Sequence, residues 1–169
     1  MDSILAIDPG TTQSAYVRMD SGLIKSFGLM PNENMLDMLR NGSWHGYELA
    51  IESVESFGMP VGKEVFETVL WSGRFIEAWD NRDLSWTRIY RKEVKLHLCH
   101  SHRAKDSNIW QAIVDRFGGK EAAVGRKAAP GPLFGIHSHC RAALAVGLTF
   151  LDTARALDSA AEAGISDHG

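Results

Sequence analysis

Ser3-Ile4-Leu5-Ala6-Ile7-Asp8-Pro9-Gly10-Thr11-Thr12 is the stretch on which the fold turns. Its apolar run is short enough for a buried strand, and it ends at an acid followed by Pro-Gly, which forces a turn. Residues 14–19 then alternate roughly, Asp20-Ser21-Gly22 supplies a second turn, and residues 23–28 extend again. The pattern predicts a three-stranded antiparallel meander. An acid at the C-terminal end of a buried strand aims its carboxylate into the crevice where ligands of open α/β sheets collect. Asp8 is therefore the first candidate functional residue, against the competing reading of a turn-forming aspartate.

Outward from the meander, strands and helices alternate. Asn32 reads as the cap of a helix over residues 33–40, with Met35, Leu36, Met38 and Leu39 as its apolar side. Tyr47-Glu48-Leu49-Ala50-Ile51 reads as a buried strand followed by Glu52, and residues 56–62 as a loop. Apolar residues recur at helical spacing from Lys63 to Trp79. Residues 86–90 read as a strand leading into the basic run Arg91-Lys92-Glu93-Val94-Lys95. Residues 105–117 form an amphipathic helix stopped at Gly118-Gly119, residues 119–132 a mobile glycine- and alanine-rich loop, and residues 139–156 a last helix. There is no internal repeat. The order predicts an α/β layer architecture in one domain over residues 1–157, with 158–169 as a flexible tail.

A chain of 169 residues can bury a sizeable core. No apolar run approaches the roughly 18 residues of a membrane span, and no basic region precedes the first apolar stretch as in a signal peptide. Cys99 and Cys140 make no disulfide framework, so a reducing cytoplasmic setting is expected. The net charge of −3 hides an asymmetry. Residues 82–127 hold eleven Lys or Arg against five acids, a balance of +6 that leaves −9 for the rest. A basic segment on an acidic chain suits a protein that grips a polyanion and keeps carboxylates for metal.

Glu52 is the second candidate. If its strand lies beside the first, Asp8 and Glu52 converge, and two such carboxylates repel unless a divalent cation sits between them. Glu55 is a candidate helper. His139, where the last helix begins, is the third candidate, since an imidazole there can bind metal or orient water. The competing readings are a surface glutamate and a surface histidine.

Three segments in order resemble the RuvC-like Holliday junction resolvases. Residues 4–12 resemble their first strand, whose aspartate binds metal; Ala50-Ile51-Glu52-Ser53-Val54 resembles the segment with their catalytic glutamate; residues 138–149 resemble their final helix. Between these, Arg91-Lys92-Glu93-Val94-Lys95 and Ala104-Lys105-Asp106 resemble the family's basic segment and following helix, and residues 56–79 look like the phage-encoded members. The resemblance implies an RNase H-like three-layer fold, with a mixed five-stranded sheet flanked by helices. It implies a crossover junction endonuclease of DNA recombination and repair, acting as a homodimer on branched DNA without a nucleotide cofactor. Asp8, Glu52 and His139 become the catalytic and metal-binding residues, for two Mg²⁺ ions per site with Mn²⁺ as substitute. Lys92, Lys95, Arg103 and Lys105 become phosphate contacts.

Two departures from the family pattern stand out. Many members have an aspartate three residues after the position of His139, where this chain has Ala142. Glu55, His137 or Asp106 are candidate helpers in its place. The family's wedge aromatic is replaced by Glu55, leaving Phe57 or Met59 to serve.

Four rival readings remain. Asp8-x-Gly10-Thr11-Thr12 also resembles the phosphate turn of sugar kinases, but the chain is too short for two such domains. Cys99, His100, His102, His137, His139 and Cys140 are zinc ligands in kind, at spacings that fit no structural zinc site. A non-catalytic branched-DNA-binding protein on the same fold, or another RNase H-like nuclease, is the alternative function. In the helix over residues 63–79, Phe66, Val69, Leu70 and Trp71 belong to a dimer interface or, as expected for most of them, to the core.

Overall fold

The computed structural model describes residues 3–56 and 58–165. Its centre is a five-stranded sheet. β1 (Ser3–Asp8) runs antiparallel to β2 (Gln13–Asp20), which pairs with β3 (Leu23–Pro31); on its other side β1 runs parallel to β4 (Tyr47–Ser53), and β4 parallel to β5 (Trp86–Tyr90). The order is β3-β2-β1-β4-β5, so β1 and β4 lie side by side at the middle. The predicted meander and both later strands are present.

Side chains alternate across the sheet. Leu5, Ile7, Leu49 and Ile51 enter one core with Met35, Leu36 and Leu39 of α1 (Asn32–Asn41) and Phe75, Ala78 and Trp79 of α2 (Lys63–Asp80). Ile4, Ala6 and Ala50 enter the other. That second core is closed by α3 (Arg91–Cys99), α4 (Asp106–Arg116) and the long α6 (Ser138–Ile165), which contribute Val94, Ile113, Ala143 and Leu144 among others. Helix, sheet, helix: the layers are three.

Several local expectations are corrected. Asn32 is not a helix cap. Its side chain is buried, accepting from Ser14 Oγ at 2.7 Å and donating to the Gly10 carbonyl at 3.0 Å, while Ser14 Oγ accepts from the Gly10 N–H. Asn32 thus pins the turn that follows Asp8. Phe66, Val69 and Leu70 are exposed rather than core, because only the second half of α2 packs on the sheet; Trp71 is half-buried. Residues 91–95 belong to a helix, α3, whose Glu93 carboxylate accepts from the Tyr90 N–H at 2.6 Å. The stretch expected as a mobile loop folds into α5 (Lys120–Ala123) and a small hairpin, β6 (Gly125–Arg126) with β7 (Ala129–Pro130). Ala123 and Leu133 are buried there and joined by a backbone hydrogen bond, so the segment is packed. Finally, α6 continues past Ala156 to Ile165.

Candidate functional site

The same alternation that builds the cores delivers the acids. Asp8 follows Ile4 and Ala6 on one face of β1, and Glu52 follows Ala50 on the same face of β4. Ile7 pairs with Ile51, which sets Asp8 and Glu52 side by side at the C-terminal edge of the two central strands. Both point toward the α6 layer, whose second residue is His139. His139 Nδ1 lies 2.9 Å from Asp8 Oδ2, and the two carboxyls hydrogen-bond to each other. The structure thus brings the three sequence-predicted residues into contact across 131 positions of chain.

The electrostatics follow from that crowding. Burial, then the charge of Asp8 and the hydrogen bond to it, push the Glu52 carboxyl up to about 8. Burial also raises Asp8, although the hydrogen bond from Glu52 and the charge of Arg91 work the other way. The pair therefore resists carrying two negative charges at once.

Asp8, Glu52 and His139 line a cleft of about 590 Å³ with Arg91, Asp106, Arg141 and Ala142. Arg91 is the residue that sequence reading missed. One of its guanidinium nitrogens donates to Glu52 at 3.2 Å, and the other pairs with Asp106 at the start of α4. The signal was available, because Arg91 follows the end of β5 as Glu52 ends the core of β4, and β5 is parallel to it. Arg141, also unanticipated, lies 4.1 Å over the Trp110 ring and donates to the Ile136 carbonyl. Asp152 ties the surrounding helices together, taking two hydrogen bonds from Arg116 and lying 2.8 Å from His97. Although burial works the other way, these partners hold the Asp152 carboxyl below its usual range.

The basic residues fall in two places. Lys92 and Lys95 line a second cleft of about 550 Å³ that shares Glu52 and Arg91 as a wall with the first. Arg103 and Lys105 are exposed on the connection between α3 and α4. Glu55 lines the second cleft and pairs with Lys92 at 2.8 Å, so it stands apart from Asp8. Phe57 lies outside the described residues.

The donors present are two hard carboxylates and an imidazole on one open side, the chemistry of a Mg²⁺ or Mn²⁺ site that keeps several waters. They fit such an ion in kind. Among the described residues no three His, Cys, Asp or Glu side chains are gathered closely enough to form a metal-holding group. Among the described residues no helix is long and apolar enough to cross a membrane.

Strand order, layers and the acid pair at the edge of the central strands define an RNase H-like α/β fold. The chain is similar in structure to Thermus thermophilus RuvC, with a TM-score of 0.62 and 18% identity over 90% of this chain and 95% of that one. It is also similar to T. thermophilus RuvC in complex with a Holliday junction substrate, with a TM-score of 0.64 and 18% identity over 92% and 96%. At that identity the likeness is one of fold. No protein-family model matches the sequence, and comparison with curated proteins finds no match.

Proposed function

We propose that this protein is a structure-selective DNA endonuclease that cuts four-way junctions, and related branched DNA, by metal-dependent phosphodiester hydrolysis. The observation that carries the reading is the contact of Asp8, Glu52 and His139 in one cleft, beside a second cleft lined by Lys92 and Lys95. The solved neighbour bound to a Holliday junction supports the choice of substrate.

Asp8 and Glu52 would hold the cations, and His139 would bind one or orient water on the attacking side. Bound Mg²⁺ or Mn²⁺ would supply positive charge at the phosphate and a nucleophile at neutral pH. His139 is the most exposed of the three. Its contact with Asp8 fixes the ring while leaving the cleft open. Lys92, Lys95, Arg103 and Lys105 would hold backbone phosphates, giving binding that weakens steeply with salt.

Two symmetric cuts in a junction call for two sites related by a two-fold axis, hence a homodimer. The exposed Phe66, Val69 and Leu70 on α2 form an apolar stripe suited to that contact. Phe66→Asp is expected to halve the mass measured by sedimentation and to uncouple the paired nicks. An unchanged mass would place the interface elsewhere.

A non-catalytic junction-binding protein is the second reading. Ala142 in the cleft wall and the Arg91 ion pair on Glu52 favour it. One assay separates the two. The protein is incubated with a labelled four-way junction and with linear duplex, in Mg²⁺, Mn²⁺ or EDTA, beside Asp8→Asn. Paired nicks on the junction, lost in EDTA and in Asp8→Asn, are expected. A tight complex that is never cut would establish the second reading, and no binding would sink both.

A further inference from the structure

We propose that Asp106 is the third carboxylate of the cation site, supplying from α4 the acid that α6 lacks at Ala142. The inference rests on the metal-dependent reading above and deepens it. Ala142 lies one turn after His139 and lines the same cleft, so a methyl group stands on the wall where an acid would complete the donor set. Asp106 lines that cleft too, entering from the first residue of α4. The distance between it and the acid pair is set by a single side chain. Arg91 holds Glu52 with one guanidinium nitrogen and Asp106 with the other, so the two carboxylates are a guanidinium apart, and Glu52 is in turn bonded to Asp8.

Glu52 and Asp106 therefore pair with one positive charge, that of Arg91, in the cleft that Asp8 and His139 also line. A divalent cation taking the place of the guanidinium meets the same carboxylates without leaving any of them unpaired. Asp106 is exposed, so its carboxylate has the freedom to close on an ion. Arg91, once displaced, keeps its position on the cleft wall, where the scissile phosphate offers it a new partner. Glu55 does not compete for the role, being held by Lys92 in the adjoining cleft.

The test is a Mn²⁺ titration followed by electron paramagnetic resonance of the free ion, which reads binding without cleavage. The full chain, Asp106→Asn, Asp106→Glu and the double variant Asp106→Asn/Ala142→Asp are compared, with melting in EDTA as the check on folding. Asp106→Asn is expected to weaken Mn²⁺ binding by about tenfold or more. Asp106→Glu or the double variant should recover most of the loss. Parental Mn²⁺ affinity in Asp106→Asn overturns the proposal and leaves the nuclease reading standing. A loss that neither Asp106→Glu nor Ala142→Asp repairs also overturns it, since that marks a structural role. Absence of Mn²⁺ binding by the parent overturns both.

Discussion

Glu52→Gln is expected to reduce cleavage severely and, in EDTA at pH 8, to make the protein more stable than its parent. The two effects have one cause. The folded chain raises the Glu52 carboxyl from 4.5 to about 8 through burial and the neighbouring Asp8. A carboxyl raised on folding contributes its stability fully below the unfolded value, and the contribution is lost as pH rises through the folded value. The window is therefore about 4.5 to 8, and the loss across it is on the order of a few kcal/mol. Glutamine keeps the shape and cannot be charged. Melting in EDTA across that window should show the parent falling and Glu52→Gln nearly flat, with Mn²⁺ raising the parent more than the variant. Cleavage should drop on the order of 10³-fold, since the charge that offsets a cation is gone. A parent whose melting temperature does not fall from pH 5 to 8 would refute the electrostatic account, whatever happens to activity.

That account was half legible in the sequence. Asp8 and Glu52 could be picked because each follows a short apolar run, and an acid at the end of a buried strand has few places to point. His139 was chosen on resemblance, since a histidine at a helix start carries no such geometric signal. Arg91 reads as one more cation in a basic run, although it directly follows a strand parallel to that of Glu52. The strand-end rule applied to acids and bases alike would have found it.

The misread elements share a physical reason. Asn32 has the residue type of a cap, yet the carbonyl of Gly10 and the hydroxyl of Ser14 take its amide, because Asn32 and Ser14 are themselves buried and need partners. The α2 stripe has a helical period, but period says which residues share a face and not what covers it. Residues 119–132 look like a loop because Gly and Ala are frequent, whereas Leu133 anchors them to the core from outside the window. α3 escaped notice because Val94 is its one buried residue, too little to make a pattern.

Gly147→Val is expected to cost about 3 kcal/mol of stability and most of the cleavage, although Gly147 touches none of the site residues. A Cβ at this position would lie 3.0 Å from Ile4 and 3.1 Å from Ala6, both on β1, and 3.4 Å from Met19. The glycine lets α6 approach the central strand at a distance that other residues would widen. Ile4 and Ala6 belong to the same face and the same strand as Asp8, and α6 begins at His139's neighbour Ser138. The helix-to-sheet spacing set at Gly147 is thus the spacing that lets His139 Nδ1 meet Asp8 at 2.9 Å. Gly147→Ala adds a single methyl; the Ile4 terminal carbon can turn aside, but the Ala6 Cβ yields only by a small shift of α6 against β1, so it should cost about 1 kcal/mol and leave cleavage measurable. Urea unfolding beside nicking assays on the two variants checks the gradation. If valine were tolerated as well as alanine, α6 would not be seated on β1 as described, and the contact between His139 and Asp8 would need another origin.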